Sequence, residues 1–175
     1  GVDSSVFYPN SVQEKMFAIA TSGVSRLQES VRECVMAAKE SNLAEGEVLH
    51  VGNSAHWFKG QVTYTNGVND RMLATYYSAC HFVSGLRRKE GFELPAAEGL
   101  LCGARPILFD TPDYRWNYKE WGEYIQETHR QGVVDQLVQL FKQGARPVTE
   151  YEREEAAHWF NWERVCGEFW QRCLQ

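Results

Sequence analysis

The stretch RKEGFELPAAEGLLCGARPILF (residues 88–109) decides the fold. Pro95 suits the first turn of a helix and Gly103 suits its end, so a helix is expected over 95–102. RPILFD (105–110) is an apolar run of strand length. Just upstream, HFVS (81–84) reads as another strand, and GLRRK forms the loop at its carboxyl end. Strand, loop, helix and strand in that order make a βαβ unit, which brings the two strands together in parallel.

The same alternation extends in both directions. MFAIATSG (16–23) is a buried strand closing on Ser-Gly, and the next segment repeats Leu27, Val31, Val35 and Ala38 at helical spacing, with Ser25 as a cap. EVLHVGN (47–53) and QVTYT (61–65) are the second and third strands. About seven residues separate them, fewer than a helical crossover needs, so either that link is a bare loop or one strand is misread. Asn69 or Asn66 can cap a helix through DRMLATYYSA. EYI (123–125) is a short sixth strand, VVDQLVQLFKQG is an amphipathic helix ended by Gly144, and the tail from Thr149 to Leu174 is helical and rich in Trp. The sum is an α/β chain with a doubly wound, Rossmann-like parallel sheet flanked by helices.

Bulk properties agree with a single domain. A chain of 175 residues buries about 70% of its unfolded surface. A net charge of −5 argues against general nucleic-acid binding. There is no apolar run near the ~18 residues of a membrane span. The opening GVDSSVFYPN reads as a linker, which suggests a piece of a longer protein. Cysteines 34, 80, 102, 166 and 173 form no CxxC, so reduced, mostly buried thiols and a cytoplasmic setting are expected. His50, His56, His81, His129 and His158 show no ligand spacing, and neither a metal nor a cofactor is expected. The two copies of AHWF (55–58 and 157–160) have dissimilar surroundings and are a coincidence, not a repeat.

In open α/β sheets, ligands bind beyond the carboxyl ends of the strands. A helix start placed there offers unpaired N–H groups and partial positive charge, a seat for phosphate. Gly91 lets a backbone approach closely. Glu98, about one turn into the helix, can bond ribose hydroxyls, and Glu90, on the other side, can meet a sugar hydroxyl. Two acceptors flanking a phosphate cradle suit a nucleotide sugar. The plainer reading is that the helix dipole favours carboxylates near any helix start, and a pair at this spacing is cheap among 23 acidic residues.

The order of residues adds more. EGFELPAAEGLLCGARPILFD resembles the E-x7-E region of retaining GT-B glycosyltransferases (group 1, mannosyltransferase-like), with Glu90, Gly91, Phe92, Leu94, Pro95, Glu98, Cys102, Gly103 and Pro106 in register. VNDRMLATYYSACHFVSG resembles the helix and strand before that motif, DTPDYRWNY the loop after it, and FNWERVCGEFW the terminal helix. The resemblance spans nearly the whole chain. It implies the C-terminal, donor-binding half of a GT-B fold, with residues 1–14 as an interdomain linker remnant, 149–175 as a helical tail, and an N-terminal acceptor domain lying outside the chain. By resemblance, Glu98 holds the nucleotide ribose, Glu90 is the catalytic contact to the donor sugar, and the backbone of Phe92, Glu93 and Leu94 lines the diphosphate. The family keeps the anomeric configuration and usually needs no metal.

Two departures accompany it. The family places an Arg and a Lys on the first strand-to-helix turn, in a GR…KG pattern. Here that turn reads TSGVSRLQES: Gly23 is present, and Arg26 is the nearby base but out of register. Either Arg26 or the cluster Arg87, Arg88 and Lys89 substitutes, or diphosphate binding is weakened; the plainer reading of the cluster is a solvated loop. The short link after Gly52 lacks the usual helix beside the base, where Trp57 or Phe58 could stack or simply pack. The alternative functions are a noncatalytic nucleotide-sugar or protein-binding module and a sugar-nucleotide epimerase of the same fold. The aromatic tail (Trp159, Phe160, Trp162, Phe169, Trp170) is expected to pack on the sheet or on the absent domain rather than to form a carbohydrate platform.

Overall fold

The structure, a computed structural model, describes residues 1–10, 15–21, 30–41, 48–52, 62–65 and 67–174. Six strands form one sheet: β1 (Met16–Thr21), β2 (Val48–Val51), β3 (Val62–Thr65), β4 (Cys80–Gly85), β5 (Arg105–Phe109) and β6 (Glu123–Ile125). Their order is β3-β2-β1-β4-β5-β6 and every pairing is parallel. This is the doubly wound order, with its reversal between β1 and β4. Ala20 lies beside Ser84, and Ser84 beside Ile107, so the carboxyl ends of the three central strands finish together. Both β2 and β3 are present and paired, so neither was misread; the link between them lies outside the described residues.

Helices cover both faces. They are α1 (Val31–Glu40), α2 (Asp70–Ala79), α3 (Leu94–Leu101), α4 (Pro112–Tyr118), α5 (Arg130–Gln143), α6 (Glu150–Trp159) and α7 (Trp162–Cys173). α1 packs on α5 over one face, while α3 touches α2 and α6 over the other. Central strands sandwiched this way are apolar on both sides. Phe82, Val83, Ile107, Leu108 and Phe109 are accordingly almost wholly buried. Among the described residues no helix is long and apolar enough to cross a membrane.

Local chemistry explains most boundaries. The Asn69 side chain accepts the Met72 N–H and caps α2, as one of the two candidate residues was expected to do. Gly103 and Gly144 follow α3 and α5 with φ of +89° and +81°, a conformation that glycine adopts without penalty. α3 begins at Leu94, one residue before the proline. α1 begins at Val31 after Ser30; the expected Ser25 cap and Leu27 lie outside the described residues.

One expectation is corrected. DTPDYRWNY is not a loop: Thr111 accepts the Tyr114 N–H, Pro112 opens α4, and the chain is helical to Tyr118. The tail is helical as expected, in two helices, because Asn161 accepts the Arg164 N–H and starts α7 afresh after α6 ends at Trp159. The tail aromatics then divide. Phe160 is buried against Phe92, Tyr118 and Trp121. Trp162, Phe169 and Trp170 are all more than half exposed, so within this chain they do not pack on the sheet.

The fully buried Arg105 of β5 fastens α6. Its guanidinium donates to both carboxylate oxygens of Glu152 at 3.0 Å and to the carbonyls of Arg146, Trp121 and Pro147. Burial alone would push the Glu152 carboxyl up. The bonds from Arg105, the Thr149 backbone and Arg146 outweigh it and bring the group down to about 2. Val2 and Phe7 are buried too; the Val2 N–H bonds to the Phe160 carbonyl of the tail, while Phe7, Tyr8 and Asn10 lie against α2 through Tyr77, Ser78 and Thr75.

Candidate donor-binding site

The reversal between β1 and β4 opens beyond the carboxyl ends of these strands, where residues 86–93 follow β4; residues 22–29, which follow β1 in sequence, lie outside the described set. Gly23 and Arg26 therefore have no described position. Residues 86–93 carry the sequence candidates, and α3 carries Glu98 behind them. α3 sits close to the sheet because its inner face is small. Ala96, Ala97 and Gly99 are buried, and a Cβ on Gly99 would stand 2.5 Å from the Val83 side chain. A Cβ on Gly85, at the end of β4, would meet Leu108 at 2.7 Å. These glycines are demanded by packing.

Gly91 differs. A Cβ there would meet only Asp113, at 3.7 Å, an ordinary contact. The packing of the described residues does not require a glycine here.

The loop is held from one side by α4, the helix that sequence reasoning took for a loop. Tyr114 Oη donates to the Arg87 carbonyl at 3.0 Å, and Asn117 Nδ2 donates to the Gly91 carbonyl at 2.9 Å. The Glu93 N–H donates to Tyr118 Oη at 3.1 Å, and that hydroxyl donates back to the Glu93 carbonyl. Phe92 stacks on Tyr118, ring centroids 5.8 Å apart. Three side chains from one helix thus fix the backbone of residues 87–93. The signal was legible in part: Tyr114 and Tyr118 are four apart, and Thr-Pro-Asp is a helix-start pattern.

The candidates take different roles. Glu93 is buried, its carboxylate 3.3 Å from Arg87 Nε, and its N–H is engaged by Tyr118. Leu94 is exposed, and its N–H is among those that a helix start leaves without an internal acceptor. Glu90 is exposed, with an oxygen 3.6 Å from Arg87. Lys89 is exposed with φ +65°, a left-handed conformation uncommon outside glycine. The solvated-loop reading of the basic cluster fails for Arg88. Its guanidinium donates to Ser30 Oγ at 3.0 Å, lies 3.2 Å from Glu127 and covers the Phe109 ring. Ser30 precedes α1, so Arg88 stands at the start of that helix, on the far side of the sheet's reversal.

Glu98 is the electrostatic outlier. Its Oε2 accepts a 3.3 Å bond from Tyr77 Oη of α2. Burial raises the Glu98 carboxyl to about 7, against the Tyr77 bond, which lowers it, and with a small upward push from Asp70. Perturbed groups of this kind concentrate at functional sites. The Asp3, Asp110 and Glu152 carboxyls move the other way, each lowered by its hydrogen bonds. By contrast, the buried thiols Cys34, Cys80 and Cys102 are pushed up to about 12 by burial and are inert. Among the described residues no group of His, Cys, Asp and Glu is arranged to hold a metal ion.

The assembly is a clamped loop and a helix start at the strand reversal of a doubly wound sheet, with one buried carboxylate behind it. That is the architecture of a Rossmann-like domain. No family model and no curated protein matches the sequence. Solved structures do match. The chain is 20% identical to sucrose-phosphate synthase from Thermosynechococcus elongatus over 99% of its own length and 51% of that chain, with a TM-score of 0.70. It superposes on HepE from Anabaena, solved with UDP-glucose, with a TM-score of 0.77 at 11% identity, covering 99% of this chain and 55% of that one. It covers 97% of the C-terminal domain of the group 1 glycosyl transferase LpcC from Francisella tularensis, with 94% of its own length matched, 17% identity and a TM-score of 0.62. The fold is therefore that of a GT-B glycosyltransferase C-terminal domain. The chain spans about half the length of sucrose-phosphate synthase and HepE.

Proposed function

We propose that this domain binds the donor of a retaining glycosyltransferase, a nucleotide-diphosphate sugar, and that residues 1–14 belong to the segment linking it to an acceptor-binding domain. One observation carries the reading: the E-x7-E residues fall on the loop after β4 and on α3, at the strand reversal where this fold binds ligands. HepE, with this fold, was solved with UDP-glucose.

In this reading Glu98 accepts from the ribose hydroxyls, and Glu90, at the loop's exposed edge, meets the donor sugar. Gly91 admits the diphosphate to the backbone, and the N–H groups of Phe92 and Leu94 face it. Glu93 acts one step back, holding Arg87 and the turn in place. Arg88 and Lys89 supply positive charge, in place of or alongside Arg26 and the Gly23 turn. As the bond from sugar to diphosphate breaks, negative charge grows on the leaving group. N–H donors and cations fixed in advance stabilise that charge without reorganising. Protein groups then do what a metal ion does elsewhere, and no cofactor is needed. Alone, the domain binds donor and transfers poorly, because one wall of the cleft belongs to the other domain. A noncatalytic nucleotide-sugar module is the second reading, favoured by one observation: the turn after β1, TSGVSRLQES, lacks the family's paired cations.

The test is a thermal-shift panel of UDP, GDP, ADP and TDP with their sugar conjugates. A ligand at ~100 times its Kd adds about 2.7 kcal/mol, roughly 5–10 °C for a domain of this size. A selective shift, reduced in Glu98→Ala, is expected. No shift with any of them on a folded sample contradicts the proposal. Arg88→Ala tests the cation assignment: a diphosphate cradle that uses Arg88 loses affinity for nucleotides far more than for nucleosides, and equal loss of both contradicts it.

A further inference from the structure

The opposite end of the sheet carries a second feature. A cavity of about 590 Å³ opens at the amino end of β4, between Pro9, Asn10 and Lys15, the end of α3 and the turn into α6. Lys15, His81, Arg146 and Arg153 line it, and among the described residues its wall contains no Asp or Glu. In a chain of net charge −5, a concave wall whose described residues include basic groups and no acidic ones is a marked local reversal of sign.

The basic groups are not equivalent. Arg146 spends its charge on Glu152, at 2.8 Å, and on the Glu120 carbonyl. Lys15 Nζ is held by two carbonyls, that of Cys80 at 3.4 Å and that of Gly103 at 3.2 Å, which aim it without neutralising it. Arg153, in the first turns of α6, makes no ion pair among the described residues. Lys15 and Arg153 line the same cavity; loss of hydration lowers the Lys15 amine, Cys80 raises it and the like charge of Arg153 lowers it. Two like charges facing one cavity are relieved by an anion between them. A dianion answers both, and Arg and Lys are the side chains that hold phosphate oxygens by charge-assisted bonds.

We propose that this cavity is a second, separate site for a phosphate group, held between Lys15 and Arg153 with His81 beside it. The volume exceeds what a bare ion fills, which leaves room for a small organic group on the phosphate. Its place is fixed by the fold: it lies at the amino ends of the strands, whereas Glu90, Arg88 and the start of α3 lie at the carboxyl ends. It also joins residues from both ends of the chain, Asn10 and Lys15 from the first, Arg146 and Arg153 from the last. An occupant stitches these segments together.

The experiment is calorimetric titration of the whole domain at pH 7.5 with inorganic phosphate and with glycerol 3-phosphate, in the presence of saturating nucleotide to fill the donor site. Binding is expected to weaken at least ten-fold in Arg153→Gln and in Lys15→Gln, to weaken with added salt, and to be unchanged in Arg172→Gln, which removes an exposed cation from the last turn of α7. Lys15→Gln also gives up two bonds to carbonyls that end helices, so Arg153→Gln, which breaks no ion pair among the described residues, carries the test if the first variant misfolds. Tighter binding of glycerol 3-phosphate identifies an organic phosphomonoester as the occupant, and equal binding identifies free phosphate. No heat with either probe at 10-millimolar order, or a loss seen in Arg172→Gln and not in Arg153→Gln, overturns the proposal.

Discussion

Replacing Glu98 by Gln should make the domain more stable near neutral pH, which is unusual for a residue assigned to a binding site. Burial raises the Glu98 carboxyl from its ordinary 4.5 to about 7. An acid whose pKa is higher folded than unfolded holds its proton more tightly when folded. Its contribution to stability is therefore full below pH 4.5 and falls as pH rises from 4.5 through 7. At about 1.4 kcal/mol per unit, the span from 4.5 to about 7 amounts to about 3 kcal/mol at most. Gln keeps an acceptor for the Tyr77 hydroxyl and carries no charge, so it avoids that loss. At pH 8 the variant should unfold above the wild type by roughly 5–10 °C, and at pH 4.5 the two should coincide. Thermal denaturation across pH 4.5–8 checks it. A gap of equal size at both ends, or a less stable variant at pH 8, refutes the reasoning that a buried ionised carboxylate is being maintained here. If nucleotide affinity falls in the stabler variant, the strain at Glu98 is kept for binding.

Other consequences follow from single contacts. Tyr118→Phe removes the hydroxyl that serves both the N–H and the carbonyl of Glu93; it should cost about 1–3 kcal/mol in chemical denaturation and weaken diphosphate binding. Gly99→Ala drives a methyl against Val83 and should cost about 1–3 kcal/mol. Gly91→Ala meets nothing closer than 3.7 Å, so its stability should stay within about 0.5 kcal/mol while nucleotide-sugar affinity drops. Arg105→Ala leaves Glu152 buried without its main partner and should cost about 3–5 kcal/mol by denaturation. The lowered Glu152 carboxyl adds stability that is present above pH 4.5 and is lost as pH falls through about 2.

Most of the sheet was legible because β1, β2, β4 and β5 are short, largely apolar runs, a pattern that parallel pairing imposes on both faces, while β3 shows as an alternation and β6 as three residues. Pro95, Gly103 and Gly144 marked helix ends through backbone constraints that act locally. α4 was legible only in part, because its helical pattern rests on two tyrosines four apart with Trp116 on the exposed side, a weak periodicity. The break in the tail turns on the Asn161 cap, which a run of aromatics hides. Within the site, Glu90, Gly91 and Glu98 could be named from their order alone. The clamp from α4 could not, since Tyr114, Asn117 and Tyr118 reach residues 25 or more positions away. The neutral-range titration of Glu98 comes from burial that only the packed fold creates, against the opposing bond from Tyr77, 21 residues upstream on another helix. Arg88 could be guessed as basic, but its seat beside Ser30 arises from the meeting of two loops that only the strand order brings together.

The most direct measurement is a crystal structure of the domain with the nucleotide that gives the largest thermal shift. The account predicts ribose hydroxyls about 2.6–3.2 Å from the Glu98 carboxylate, with the diphosphate against Gly91 and the start of α3. A nucleotide seated elsewhere, with Glu98 still bonded only to Tyr77, would contradict it.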